Sequence, residues 1–401
     1  MAQPSFSKAF TPGHIGKLEL RNRFIKTATY EGMCPGGVPS DEIIRHHRAL
    51  AEGGVGLTTL AYCAVSPDGR TFEDQLVMRA DVVPRLRELV AAVHAAGAAI
   101  SIQLGHCGAF SRNREVSQGK PAGPSISLNL YGVMVGLPLA RAMSEQDIAQ
   151  VIDDFGQAAA MAKDSGFDAV ELHLGHGYLL SQFLSPASNR RRDRWGGSLE
   201  NRLRLPLAVM DQVRRCVGPD FPIIAKMNLR DGFRGGLEID EAVIIAQRLE
   251  AAGADAIEGS GGFTGRNPMF LFRGPSPLKE MIAVEHNKLQ KWALRLFGSV
   301  IVRSSPFREL YFLEQAKRVR AAVKIPVILL GGVVSRRAVA TAMHEGFEFV
   351  AMGRALIADP DFVARLQAAK LDRSRCDACN KCVAEMERPG GVRCVLDAPS
   401  Q

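Results

Sequence analysis

No stretch of this 401-residue sequence is apolar for long enough to span a bilayer, which argues against a membrane-crossing helical protein. The first ten residues, MAQPSFSKAF, lack the basic-then-apolar layout of a secretory leader, so a cytoplasmic location is expected. Stacking surfaces are scarce, with two Trp and five Tyr. Basic residues are scattered apart from Arg190, Arg191, Arg192 and Arg194. The formal charge of +8 therefore reads as solubility and affinity for small anions, and neither nucleic acid nor a membrane is expected as a partner. No GxGxxG joins a strand to a helix, which weakens an open doubly wound sheet.

What the chain has is alternation. At 46% hydrophobic and 23% charged it has the composition of an ordinary globular protein. Short β-type runs lie at 23–30, 56–62, 98–104, 168–174, 222–228, 256–260, 326–331 and 349–353, separated by helical patterns. Ser144 is placed to cap one such helix and Gly166 to stop it. The theme of a helix ending in Ala-Gly or Ser-Gly before an apolar strand recurs in AEGGVGL, AAGAAI, DSGFDAV, AAGADAI and HEGFEFV. Apolar strands flanked by helices imply a covered parallel sheet, and eight units make an α/β (β/α)8 barrel the economical reading.

Two stretches depart from a minimal barrel. Residues 261–305, after the sixth strand, carry Gly, Pro and Arg without a clear period and are expected to form a rim insertion, either a lid or a surface and oligomer contact. Residues 371–401 follow the barrel, expected over 1–370, and hold four of the eight cysteines. The other four, Cys34, Cys63, Cys107 and Cys216, are dispersed like ordinary reduced thiols. Cys376, Cys379, Cys382 and Cys394 have a spacing that can hold a [4Fe–4S] cluster or a zinc ion.

Barrel enzymes act at the C-terminal ends of their strands. The first strand ends in Thr27, Ala28, Thr29 and Tyr30, the third in Gln103, Gly105 and His106, and the fifth in Lys226 and Asn228. The fourth ends in ELHLGHGYLL, presenting His173, His176 and Tyr178 together. Gly331-Gly332 and Gly353-Arg354 close strands seven and eight, where this fold builds its phosphate sites. Glycines let backbone N–H groups approach phosphate oxygens, and an arginine adds a charge-assisted fork.

These stretches carry a resemblance. LRNRFIKTATYEGM, QLGHCG, GFDAVELHLGHGYLLSQFLSPASNRRRDRWGGSLENR, PVILLGG and FVAMGRALIADPDF together resemble the old yellow enzyme family of FMN-dependent NADH:flavin oxidoreductases, over nearly the whole chain. The resemblance implies FMN at the barrel mouth, reduced by NADH or NADPH, and reduction of an enone. It implies that the Thr27–Thr29 turn and Ala64 line the flavin, that Gln103 meets its pyrimidine edge, and that Lys226 stands beside N1 and O2. Gly331, Gly332, Gly353 and Arg354 would hold its phosphate. His173 and His176 would polarise a substrate carbonyl, and Tyr178 would supply the proton. Tyr30 stands where many relatives carry Cys or Thr, and is expected to narrow the substrate pocket. The cysteine tail is similar to that of the branch containing 2,4-dienoyl-CoA reductase and trimethylamine dehydrogenase, in which it holds a [4Fe–4S] centre. Two other readings stay open: a dehydrogenase oxidising an amine and passing electrons to a separate protein, and an electron-carrier subunit. A homo-oligomer is expected.

Overall fold

A computed structural model of the chain describes residues 3–397. Eight parallel strands close into a barrel: β1 (Phe24–Lys26), β2 (Leu57–Ala64), β3 (Ala99–Gly105), β4 (Ala169–Leu174), β5 (Ile223–Asn228), β6 (Ala256–Ser260), β7 (Val327–Leu330) and β8 (Phe349–Met352). Each pairs with its neighbours in chain order and β8 closes on β1, as the repeated strand–helix theme implies. The crossover helices include α1 (Asp41–Glu52), α2 (Val83–Ala95), α3 (Glu145–Asp164), α4 (Leu199–Val217), α5 (Ile239–Ala251), α6 (Leu313–Arg320) and α7 (Arg336–His344). Ser144 caps α3 in a capping box with Asp147, as its position predicts.

Two apolar clusters divide the labour. The larger packs helices against the outer strand faces; the smaller joins Ile25, Leu57, Ala169, Ile224, Ala256, Ile328 and Phe349 inside the barrel. A short N-terminal hairpin, Gly13–Ile15 with Leu18–Leu20, adds Ile15 and Leu20 to that inner cluster and plugs the N-terminal end. Because side chains alternate along a strand, the residue two places after each inner apolar one faces the same interior nearer the mouth. Those positions are Thr27, Thr59, Glu171, Lys226 and Glu258, with Ser101 likewise two after Ala99, while Leu330 and Ala351 keep β7 and β8 apolar. The barrel is thus oily at its base and, on β1 to β6, polar towards its C-terminal rim.

The insertion is not aperiodic. It contains three helices, Pro268–Phe272, Leu278–Val284 and Lys288–Ile301, the last capped by Asn287. Gly and Pro before and between them hide the period from a window read along the chain. The tail folds back over the rim: the Val392 N–H donates to the Glu31 carbonyl at 2.7 Å, and Arg373 bridges to Ser335.

Candidate active site

Strand register sets the first layer of the site. Lys226 on β5 lies level with Glu258 on β6 and His173 on β4, while Gln103 on β3 lies level with Glu171 on β4. The buried Lys226 ammonium sits 2.8 Å from Glu258 Oε1, 3.7 Å from Glu171 Oε1 and 2.6 Å from the Thr27 hydroxyl. Thr27 donates to Glu258 at 2.5 Å, and Gln103 donates to Glu171 at 2.6 Å. Burial pulls the Lys226 pKa down, but the two carboxylates outweigh it and raise it overall. Burial pushes the Glu171 carboxyl up to about 8, with Lys226 opposing and Glu258 adding to the rise. The Lys226 ammonium is thus held charged by the carboxyls around it, while burial favours a proton on Glu171. Glu171 Oε2 and Glu258 Oε2 are buried with no hydrogen-bond partner among the described residues.

Above this layer stands a cluster of rings. His173 lies 4.9 Å from His176 and 4.7 Å from Tyr178, between ring centres. His176 is held by Asn228, which accepts from its backbone N–H at 3.0 Å, and by Ser260, 2.7 Å from Nε2. His173 Nδ1 is buried without a hydrogen-bond partner among the described residues. Burial, reinforced by the Lys226 charge, pulls His176 down to about 3, and His173 well below its ordinary value, so both imidazoles are neutral. Burial also pushes the Tyr178 phenol up to about 12, which keeps its proton in place. Ala64 belongs to a small apolar group with Ala61, Tyr62 and Val77, against which Ala28 and Tyr178 both pack. Thr29 turns its hydroxyl back to the Thr27 carbonyl at 3.4 Å. Tyr30 stands apart from the ring cluster, edge-on to Phe72 at 4.9 Å, with burial raising its phenol pKa strongly.

Several site neighbours were not anticipated. Glu171 and Glu258 each interrupt an apolar strand, and that interruption was the available signal. Tyr62 sits on a bulge where three steps of β2, Leu60 to Cys63, match two of β3, Ile102 to Leu104. Its ring lies 5.2 Å from Tyr178, over Gly105, where a Cβ would come within 2.3 Å of it.

The ends of β7 and β8 form the other pole. Gly331 and Gly332 adopt φ of 112° and 76°, a left-handed path that favours glycine. Gly353 precedes the short helix Arg354–Ala358. The Arg354 guanidinium donates to the Arg273 carbonyl at 2.8 Å and to the Asn380 side chain. Beside it a cavity of about 340 Å³ is lined by Arg273, Pro306, Arg308 and Tyr311. The insertion thus brings Arg273, and the segment just after it Arg308, to the end that position alone assigned to an anion.

The four tail cysteines share one neighbourhood. Burial pushes the Cys382 thiol up to about 12, with Arg354 opposing, and Cys376, Cys379 and Cys394 all lie within electrostatic reach of it. Among the described residues, however, no three His, Cys, Asp or Glu side chains stand in metal-ligand geometry. The donor set fits a four-thiolate site; its arrangement here is not that of a formed one.

Residues 8–262 match the family described as NADH:flavin oxidoreductase / NADH oxidase. The chain belongs to that family. Its class of chemistry is accordingly FMN-dependent oxidation of NAD(P)H, on a (β/α)8 barrel. The chain is 43% identical to a 4,4'-dithiodibutanoate disulfide reductase of Rhodococcus erythropolis, covering 96% of this chain and 94% of that one. It is 32% identical to an NADH oxidase of Thermoanaerobacter brockii over 94% of its length, but spans only 53% of that larger protein. Among solved structures, morphinone reductase in complex with tetrahydroNAD superposes with a TM-score of 0.70 at 25% identity, covering 92% of this chain and 93% of that one. No helix among the described residues is long and apolar enough to cross a membrane.

Proposed function

We propose that this family member reduces the C=C bond of an α,β-unsaturated carbonyl compound, using NADH or NADPH through FMN held at the barrel mouth. The observation that carries the reading is His173: a neutral, buried imidazole with an unsatisfied Nδ1, touching a phenol that keeps its proton. A buried polar atom without a partner is costly unless a ligand completes it. Bound FMN would supply the hydride that reaches the β-carbon of the enone. Thr27, Ala28, Thr29, Ala64, Gln103 and Lys226 would seat its ring, the lysine countering negative charge there. Gly331, Gly332, Gly353 and Arg354 would hold its phosphate, with Arg273 and Arg308 adding charge. His173 and His176 would polarise the carbonyl, and Tyr178 would give its proton to the α-carbon. Tyr30 would border the substrate from the rim.

The likeness to a disulfide reductase favours a second reading, in which the substrate is an organic disulfide. Hydride supplied by bound FMN would then go to one sulfur as the S–S bond breaks, and the other would leave as a thiolate stabilised by a hydrogen bond from the Tyr178 phenol. Rapid mixing of the reduced, flavin-loaded protein with an enone and with a disulfide decides between them by which reoxidises it faster. Replacing His173 and His176 with Ala should slow enone reduction by about a hundredfold, the effect of about 3 kcal/mol of lost charge stabilisation. Tyr178→Phe should slow reoxidation alone. If it slowed reduction by NAD(P)H and left reoxidation untouched, the proton-donor role would be wrong.

Residues 1–370 would carry the flavin and 371–401 a [4Fe–4S] cluster on Cys376, Cys379, Cys382 and Cys394. The grouping of four thiols around Cys382 supports this. Iron and sulfide analysis of anaerobically prepared protein tests it; one equivalent of zinc without sulfide would assign a structural metal instead.

A further inference from the structure

The exposed large hydrophobic side chains are not spread over the surface. Of the twelve among the described residues, ten lie on two excursions, and both excursions leave the C-terminal end of the barrel. One is the small three-stranded unit after β3, where Ile126, Leu128, Leu130, Val133 and Leu139 are 42–71% exposed. The other is helix Lys288–Ile301 after β6, where Leu289, Trp292, Leu296, Phe297 and Val300 are 52–61% exposed. Their spacing of three, four, one and three residues keeps those five on one side of the helix. The opposite side, at the buried Gly298, packs against Leu278 of the preceding helix. The two excursions also approach each other near the mouth, since a Cβ on Gly265 would meet the Phe110 ring at 3.2 Å.

Charge distinguishes the partner. Residues 124–140 contain no charged side chain, and residues 288–301 contain Lys288, Lys291 and Arg295 but no acid. Lys288 and Arg295 are exposed at the edge of the apolar stripe. The first patch is bordered in the same way: the Arg190 N–H donates to the Ser125 hydroxyl at 2.9 Å and Arg191 to the Pro124 carbonyl at 3.0 Å, with Arg190 and Arg192 exposed beside them. Two copies pressed together through this face would bring cations against cations. An apolar stripe with Trp, flanked by lysine and arginine, fits the boundary of an anionic bilayer.

We propose that the rim of the barrel docks reversibly on an anionic membrane surface, with helix Lys288–Ile301 lying in the interface and the Ile126–Leu139 patch beside it. The mouth then opens towards the lipid, and an apolar substrate reaches the site without crossing water. It goes beyond the sequence-based expectation of no membrane partner, which rested on the lack of spanning segments. It stands whichever substrate the site takes.

The test is sedimentation of the full-length, flavin-loaded protein with phosphatidylcholine vesicles, alone or with about a third phosphatidylglycerol. The anionic vesicles should carry down at least about tenfold more protein, and salt should reverse this. The triple variant Lys288→Glu, Lys291→Glu, Arg295→Glu and the double variant Trp292→Ser, Phe297→Ser should each lose most of that binding. Ile244→Ser, an exposed apolar position on α5, should keep it. Equal sedimentation with both vesicle types, or binding that survives both rim variants, overturns the proposal. So does a solution dimer that Trp292→Ser, Phe297→Ser dissociates while vesicles bind nothing, because the partner is then a second copy.

Discussion

Burial keeps five of the nine histidines unprotonated. His46 and His176 are pulled down to about 3 and His106 to about 4, with His47 and His173 also well below their ordinary value. As pH falls below about 6.5, the unfolded chain takes up protons that the folded chain refuses, so this part of the stability is lost on acidification. Glu31 and Glu171, raised to about 7 and about 8, act the other way. The folded state holds protons there that the unfolded chain releases above the ordinary carboxylate range, so their part is lost as pH rises. His106→Asn separates one contribution, because an amide oxygen can take the place of Nδ1, which accepts from the Gly108 N–H at 3.0 Å. The variant should lose about 2 kcal/mol less than the parent between pH 7 and pH 5, read from denaturant midpoints. An unchanged acid slope would mean that His106 is protonated in the fold.

At the scale of elements, the strands and the insertion were legible to different degrees. Each expected strand is present, with ends moved by at most a few residues, because apolar β-type runs between helices have few other ways to be buried. The strand-end glycines and the trio His173, His176 and Tyr178 were likewise found by position. The Glu171–Lys226–Glu258 layer was not assembled beforehand, since its members come from three strands and meet only when the barrel closes. Helix Lys288–Ile301 was missed because residues 261–305 were read as one stretch, whose first part, GGFTGRNPMFLFRGPSP, is rich in Gly and Pro. Arg273 belongs to that irregular stretch, and Arg308 follows the insertion. The end of β7 yields a sharp expectation. At Gly331 a Cβ would meet the rings of Phe312 and Tyr311 at 2.8 and 2.9 Å, on a backbone at φ 112°. Gly331→Ala should cost about 1–3 kcal/mol in thermal unfolding and lower FMN retention. Retention at the parent level would remove that turn from the phosphate site. Arg354→Ala should lower retention with a smaller effect on stability.

Taken as a whole, the molecule places its two excursions and its tail on one end of the barrel, the end that carries the polar layer and the rings. Asn380, between two of the tail cysteines, accepts from Arg354 and donates to the Pro275 carbonyl at 2.9 Å. One side chain thus joins the end of β8, the insertion and the tail. Its consequence is a reciprocal one. If FMN phosphate holds Arg354 in the position that Asn380 needs, flavin and tail order must favour each other by the same factor. Adding FMN to flavin-free protein should then slow alkylation of Cys376, Cys379 and Cys382 as much as an ordered tail strengthens FMN binding. Asn380→Ala should abolish both effects together, and loss of only one would show that the two ends of this contact act independently.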